Sequence, residues 1–391
     1  MVVNIEFLGN EPVENVITCM NYKVDKVLFF GYQEVIEVQK KSTEEFLDKY
    51  CGVQNVVFHG VSHDDLQSVL KVMRREIERE KSQKNSLYFD ITGGESLILV
   101  AFGMLAKEFE TPIHQYDVCR NKLIELEEGA KRSISKDVPA QQIKFNLDNY
   151  IKLRGGLVNY RLHKDVKEVD TPEFAEDVEK LWKVAVKHWN FWNPLSGFLR
   201  SYMVPDENLC VDEKESAVLR GLAESKTQLK KIKKLDEIIG DLAAVGMVSY
   251  VDRSKGRYRF SFKNQFVKDC LWDGGSILEL YTYQKERTAS DDCGVGIHID
   301  WDGVIHPWGK DVLNEIDVLS IKDNIPVFLS CKSGKMGAQQ SLHALYELET
   351  VARRFGGKYA KKVLVTAKVL GDVYMERAEE MGIEIQPCIL R

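Results

Sequence analysis

The stretch Leu313-Asn314-Glu315-Ile316-Asp317-Val318-Leu319-Ser320-Ile321-Lys322-Asp323-Asn324-Ile325-Pro326-Val327-Phe328-Leu329-Ser330-Cys331-Lys332-Ser333-Gly334 decides how the chain is read. It predicts a β-hairpin. One strand covers Glu315 to Ile321, Lys322-Asp323-Asn324 supplies the turn, and a second apolar strand covers Val327 to Cys331. Side chains alternate along a strand, so Glu315 shares a face with Asp317, and Ser330 with Lys332. Two acids on one strand, with a lysine closing its neighbour, suit a divalent cation beside a phosphodiester. Taken alone, the same pattern also fits an edge hairpin with solvated charges. The flanking chain must decide.

At 391 residues the chain exceeds one ordinary core, so two or three domains are expected. It has no run of about 18 apolar residues, which argues against a membrane span. The first residues lack the basic-then-apolar pattern of a signal peptide, and the eight cysteines form no CxxC pair. Both point to a cytoplasmic protein with reduced thiols. His59 and His63 flank a strand end and make a poor metal pair. A net charge of −6 confines any nucleic-acid binding to local basic surface.

Strands and helices alternate through the first 150 residues. Strands are expected at Val3 to Leu8, Lys26 to Phe30, Asn55 to His59, Leu87 to Ile91 and Pro112 to Val118, with an extra one at Leu123 to Glu127. Helices are expected at Glu11 to Tyr22, Ser42 to Tyr50 with Ser42 as N-cap, Asp64 to Glu80, and Glu95 to Phe109. This order implies a parallel sheet covered on both faces, with ligands beyond the carboxyl ends of its strands. The junction Asp90-Ile91-Thr92-Gly93-Gly94-Glu95-Ser96 suits a phosphate, because its glycines admit a close approach and a helix starts there. It is neither a Walker A loop nor GxGxxG, which argues against a nicotinamide cofactor.

This order, with the Asp-Ile-Thr-Gly-Gly turn, resembles the CRISPR-associated Rossmann fold, or CARF, domain. The resemblance implies a dimer that binds cyclic oligoadenylate across its axis. The implied contacts are Gly9, Asn10 and Glu11 after the first strand, and Thr92, Gly93, Gly94, Glu95 and Ser96 after the fourth. The chain departs from the commoner pattern at Glu95-Ser96, where Thr-Lys is frequent.

Trp182, Trp189 and Trp192 fall in a segment expected to pack a connector against its neighbours. Residues 212 to 262 look like a winged helix, with helices at Glu213 to Glu224 and Leu235 to Val245 and a hairpin of Val248 to Tyr250 with Arg257 to Phe262. Lys226 to Lys234 holds five lysines in nine residues, yet the following helix is acidic where a DNA-reading helix is basic or amide-rich. A domain-docking spacer that offers phosphate contacts is the better reading.

Gly274 to Thr288 predicts a helix with Glu279 among apolar residues, and Gly294 to Ile305 a strand ahead of the hairpin. A helix, a strand, a helix and a last strand then follow from Gly337 to Ile389. This order resembles the restriction-endonuclease-like, PD-(D/E)xK, fold. The resemblance implies a helix acid at Glu279, a strand acid at Asp317 and a lysine at Lys332 as catalytic residues. It implies Mn²⁺ or Mg²⁺ held by Glu279, Asp317 and the main-chain carbonyl of Cys331. Ser330 stands where a carboxylate is usual, and Glu315 is the residue expected to restore the missing charge. The Cys331 side chain is expected in the core. Asp300 and Asp302 are weaker candidates near metal or substrate. Lys335, Arg353 and Arg354 are candidate guides for the strand.

The expected architecture is therefore α/β throughout: a Rossmann-like CARF domain (1–150), a connector (151–211), a winged-helix-like module (212–265) and a PD-(D/E)xK nuclease domain (266–391). The whole chain resembles the CARF nucleases that accompany type III CRISPR systems. That implies a homodimeric, metal-dependent nuclease cutting DNA and/or RNA, switched on by a cyclic oligoadenylate such as cyclic tetra-adenylate. The alternative is a ligand-responsive transcription regulator built from the CARF-like and winged-helix parts, which would need neither Glu279 nor Lys332.

Overall fold

The computed structural model describes residues 1–126, 133–137, 143–160, 170–203, 209–224, 229, 231–306 and 313–388. The first domain is a seven-stranded sheet: β1 (Val2–Leu8), β2 (Lys26–Gly31), β3 (Asn55–Gly60), β4 (Ser86–Asp90), β5 (Ile113–Asp117), β6 (Lys122–Leu126) and β7 (Ser133–Asp137). Their order is β3-β2-β1-β4-β5-β6-β7, with the first five parallel and the last two antiparallel. The helices are α1 (Ile17–Asn21), α2 (Gln33–Phe46), α3 (Leu66–Ser82) and α4 (Ser96–Glu108). This is the expected Rossmann-like architecture.

Two helices start elsewhere than predicted. Residues 12–16 form turns rather than helix, so α1 is short and Pro12 does not open it. Ser42 is not an N-cap. It lies inside α2, its hydroxyl donating to the Gln39 carbonyl at 3.1 Å. Tyr32, whose side chain makes no capping bond, precedes this helix, so the start carries no local signal. A π-helical turn, Leu47–Cys51, ends it at Gly52, whose positive φ of 69° suits glycine.

The middle of the chain carries α5 (Leu147–Leu153), β8 (Leu157–Val158), α6 (Pro172–Lys187) and α7 (Trp189–Tyr202). The winged-helix-like module follows: β9 (Cys210–Lys214), α8 (Glu215–Glu224), α9 (Ile232–Ala244), β10 (Val248–Asp252) and β11 (Arg257–Phe262), its sheet ordered β10-β11-β9. Glu213 and Lys214 are thus strand, not helix. Arg257 and Arg259 both reach Asp212 across that strand pair. Lys226 and Lys230 of the basic run lie outside the described residues.

The last sheet is ordered β16-β15-β14-β13-β12-β8. Its strands are β12 (Asp292–Asp300), β13 (Leu313–Lys322), β14 (Ile325–Lys332), β15 (Lys361–Thr366) and β16 (Ile383–Pro387), and α10 (Gln265–Trp272), α11 (Ser276–Arg287), α12 (Ala338–Gly356) and α13 (Asp372–Glu380) accompany them. β8, from inside the expected connector, adds the sixth strand by pairing Val158 with Ile299. The predicted hairpin is present. Lys322 pairs with Ile325, and Asp323 and Asn324 take φ of 49° and 68°. Two such residues make a type I′ turn, which matches strand twist. The Asn324 amide also donates to the Tyr116 hydroxyl of the first domain at 3.3 Å.

Two hydrophobic cores meet at this last sheet. One unites the first domain with α5, α12 and the face bearing Leu319, Phe328 and Leu364. The other unites the connector and winged-helix module with α11 and the face bearing Val318, Leu329, Cys331 and Val365. The tryptophans belong to the second core, as expected: Trp182 stacks on Tyr281 of α11 at 4.2 Å. Phe328 is fully buried and packs beside Gly356, where a Cβ would stand 2.6 Å from its ring. Phe328→Ala should therefore cost about 3–5 kcal/mol, seen as a lowered midpoint in thermal or urea unfolding.

Candidate active site and ligand turn

The hairpin opens where its chemistry begins. Antiparallel pairing runs from Lys322 opposite Ile325 to Val318 opposite Leu329 and stops. Beyond that, β13 stays with β12, pairing Glu315 with His298, while β14 stays with β15, pairing Lys332 with Thr366. The Asp317 carboxylate fills the fork. Its Oδ2 accepts from the Cys331 N–H at 2.5 Å and from the Ser330 hydroxyl at 3.1 Å, and Lys332 Nζ lies 3.8 Å away. Ser330, in the place of a usual carboxylate, thus holds Asp317 rather than a metal. Cys331 is buried, its thiol facing Thr282 of α11 at 3.7 Å, and burial raises its pKa, which keeps it an inert thiol.

Helix α11 brings the third group. Glu279 lies in its first turn beside Gly275, where a Cβ would stand 3.6 Å from both Glu279 Oε1 and Asp273 Oδ1. Burial pushes the Glu279 carboxyl up to about 8, helped by Asp317, Asp273 and Glu315 and opposed by Lys332. Glu279 and Lys332 line a cavity of about 580 Å³ together with Asp273, Ser333 and Lys335, and α12 closes it with Gln339, Gln340 and His343. The connector holds the loop after Lys332: Trp189 Nε1 donates to the Ser333 carbonyl at 3.1 Å.

The structure brings Glu279, Asp317 and Lys332 into one electrostatic neighbourhood. Glu315 takes part in it from an exposed position on β13, beside Gly296. The acids are neighbours, not a finished shell: among the described residues no three His, Cys, Asp or Glu side chains are gathered so that they could hold a metal ion. The chemistry of the set nevertheless fits a divalent cation, since a buried carboxyl among three acids and one lysine lacks positive charge. Asp273, Gln339 and His343 are additions that no sequence pattern signalled. Asp300 and Asp302 lie elsewhere. Asp300 is buried and accepts the N–H groups of Asp302 and Val304, and Asp302 pairs with His306, so both organise a turn. Lys335 lines the cavity. Arg353 and Arg354 do not, since they sit near the far end of α12, where Arg353 bonds Glu349 and Arg354 bonds the carbonyls of Arg154 and Trp301.

In the first domain, the Thr92–Ser96 turn is built from below. The Thr92 N–H donates to Asp90 Oδ1 at 2.8 Å, and the Thr92 hydroxyl accepts from the Tyr116 N–H at 2.8 Å. Burial pushes the Asp90 carboxyl up, but His114, Thr18 and Thr92 outweigh it and hold the carboxyl low. Thr92 is therefore a structural member of the turn. Gly94, at φ 134°, lies against Leu99, while Gly94, Glu95 and Ser96 are exposed. The Glu95 carboxylate accepts from the Tyr32 hydroxyl at 2.9 Å, and Tyr32 stacks on His63 with centroids 3.6 Å apart. His59 instead faces Glu76, so the two histidines do not converge. After β1, Asn10 is exposed, and Gly9 exchanges hydrogen bonds with the Asn15 side chain. Glu11 is turned away from the turn, to Arg154 and the Lys358 N–H.

Residues 270–387 match the family model described as Card1-like, endonuclease domain. Whole-chain likeness extends to solved structures. The protein VC1899 from Vibrio cholerae matches with a TM-score of 0.72 and 16% identity, over 99% of this chain and 94% of that one. Can2 from Sulfobacillus thermosulfidooxidans, solved in complex with cyclic tetra-adenylate, matches with a TM-score of 0.67 and 14% identity, over 99% and 95%. A type III CRISPR defence DNA nuclease activated by cyclic oligoadenylate matches with a TM-score of 0.52 and 14% identity, over 94% of this chain but 46% of that one. No curated protein sequence matches the chain. At these identities the likeness is one of fold, and it extends over nearly the full length of the chain.

Glu279 makes the metal-free protein pH-sensitive. Its folded-state pKa lies above the ordinary 4.5, so the folded protein keeps a proton that the unfolded chain releases. Stability from this group is full below about pH 4.5 and is lost as pH rises towards 8. In a chelator, Glu279→Gln should be more stable than wild type by roughly 1–3 kcal/mol at pH 8, with the gap closing towards pH 5. Melting curves at the two pH values check this.

Proposed function

We propose that the chain is a metal-dependent nuclease of type III CRISPR defence, acting as a homodimer activated by a cyclic oligoadenylate. The observation that carries the reading is the forked hairpin with Asp317 and Lys332 beside buried Glu279, inside a domain that matches an endonuclease family. The domain limits we assign are 1–150, 151–211, 212–265 and 266–391, with β8 contributed to the nuclease sheet from the second of these.

In this mechanism Glu279 and Asp317 hold Mg²⁺ or Mn²⁺, with Glu315 and the Cys331 carbonyl as further donors. When bound, the cation lowers the pKa of a water and offsets charge on the phosphate. Asp317 is oriented for its part by Ser330 and the Cys331 N–H. Lys332 supplies fixed positive charge where the attacked phosphodiester gains negative charge. The cavity between α11, β14 and α12 admits the strand, with Lys335 at its rim. DNA and RNA are both within reach of this chemistry.

The first domain is proposed as the sensor. Its exposed turn at Gly94, Glu95 and Ser96, with Asn10 beside β1, is offered to the ligand, and the cyclic tetra-adenylate bound to Can2 makes that ring the first candidate. Helix α4 leaves Val100 and Met104 exposed on one apolar stripe, and a Cβ on Gly103 would meet open space. That face supports pairing with a second copy. The regulator alternative gains nothing from α9: Asp236 binds Arg253 and Tyr258, and Asp241 binds Lys187 and His188, so this helix is committed to internal packing.

With cyclic tetra-adenylate and Mn²⁺, wild type should cut labelled single-stranded DNA, single-stranded RNA or plasmid. Lys332→Ala and Asp317→Asn should each lose at least about 100-fold. A Lys332→Ala protein that cuts like wild type would refute the site. Val100→Asp with Met104→Asp should yield monomers in light scattering and abolish activation.

A further inference from the structure

The loop after β1 does something that a ligand loop alone does not need to do. It ties the sensor turn to the nuclease helix through a partly buried ionic clamp. Glu14, 6% exposed, lies against the ligand turn: a Cβ on Gly93 would stand 3.1 Å from its Oε2. Its Oε1 accepts from the Tyr359 hydroxyl at 2.5 Å and pairs with Lys358 Nζ at 2.5 Å. Glu11 adds a second grip, receiving the Arg154 guanidinium on one oxygen and the Lys358 N–H on the other at 3.1 Å. Arg154 then passes the connection on, since its carbonyl accepts from Arg354 at 2.6 Å. Tyr150 closes the ring by donating to the Gly356 carbonyl at 3.1 Å.

Gly356, Lys358 and Tyr359 form the end of α12 and the turn that follows it. The other end of α12 carries Gln339, Gln340 and His343 into the nuclease cavity. A helix of 19 residues spans about 28 Å and moves as a unit. The clamp and the cavity thus sit at the two ends of one helix, and the clamp is an ionic hold between the turn that follows this helix and the loop after β1.

We infer that the Glu11 and Glu14 clamp on Arg154, Lys358 and Tyr359 is the switch through which a polyanionic ring on the Thr92–Ser96 turn controls the nuclease cavity. The inference rests on the proposed sensor–nuclease reading and names its regulation. A phosphate ring on the turn brings negative charge to within one residue of the Glu14 carboxylate, in a buried setting where like charges repel strongly. The same charge attracts Lys358. Both effects weaken the clamp and free the α12 end. A ligand shifts such an equilibrium only by its differential interaction with the two arrangements, and here that difference is the repulsion of Glu14.

The test uses the full-length protein and cyclic tetra-adenylate. Hydrogen exchange over residues 352–359 should accelerate in wild type when the ring is added, because the Lys358 N–H loses Glu11. Tyr359→Phe and Glu14→Gln, which keep the size of each side chain, should raise ligand-free cleavage at least ~5-fold and lower the ligand concentration for half-activation. Lys358→Arg, which keeps the charge, should stay near wild type. Unchanged exchange at 352–359 with the ring added overturns the inference, and so does ligand-free cleavage by both variants within 2-fold of wild type (about 0.4 kcal/mol) where wild type cuts on activation. If exchange accelerates while wild type cuts nothing with any metal, the clamp stands and the nuclease reading falls.

Discussion

The carboxylate of Asp317 is the hinge pin of the C-terminal sheet. A β-ladder that continued past Val318 and Leu329 would bury the strand ends against each other and leave no room for a substrate. Asp317 instead takes the Cys331 N–H that the ladder no longer satisfies and the Ser330 hydroxyl beside it. An unpaired buried N–H costs free energy, so the fork requires an acceptor there, and a charged acceptor makes the strongest such bond. One residue therefore both opens the sheet and supplies an acid to the opening. Lys332 and Glu279 gain their proximity from that same fork, because β14 is free to run on with β15 and to present its end to α11.

The two hydrophobic cores explain how that site is linked to the rest of the chain. The nuclease sheet is not packed by its own helices alone. One face shares a core with the first domain, and the other shares a core with the connector and winged-helix module. The first domain therefore touches the sheet directly, through α5, Tyr116 and the loop after β1, rather than only through the intervening chain. The Tyr150–Gly356 and Asn324–Tyr116 bonds are buried, whereas the Lys358 N–H to Glu11 bond is exposed. The buried contacts hold the two domains in register, and the exposed one is open to a change in charge. The winged-helix-like module fits this scheme as packing material. Asp212 and Asp236 are used against its own arginines, Asp241 reaches Lys187 and His188 of the connector, and its wing is latched by Asp212.

Much of this was legible in the sequence where the signal is local. The hairpin, its turn at Asp323 and Asn324, the apolar strands of the first domain and the acid on α11 all follow from periodicity and turn chemistry within a few residues. The helix over Gln33–Phe46 was misplaced because its start at Tyr32 carries no capping side chain, and Ser42 offered a false one. The family resemblance places Glu11 at the ligand because it follows the first strand. In the structure it is held by Arg154 and by the Lys358 N–H, the latter 347 residues away, and no local pattern reports a contact at that range. The same holds for Glu14 with Tyr359, and for the way α12 delivers Gln339 and His343 to the cavity.

Ser330 shows how a departure from a family pattern can be read physically. A carboxylate at this position would stand beside Asp317 and near Glu279, and like charges at that range raise one another's pKa. Glu279 is already pushed up to about 8 by burial and its acidic neighbours. A further acid would leave more carboxyl groups protonated unless a cation compensated for all of them. Serine removes that demand and donates instead, which keeps Asp317 oriented with a single lysine nearby. On the proposed metal-dependent reading there are fewer charged ligands, so a divalent cation would depend more on Glu279 giving up its proton. Cation binding and the deprotonation of Glu279 would then be one coupled event, and occupancy of the site would rise with pH over the range in which that carboxyl titrates.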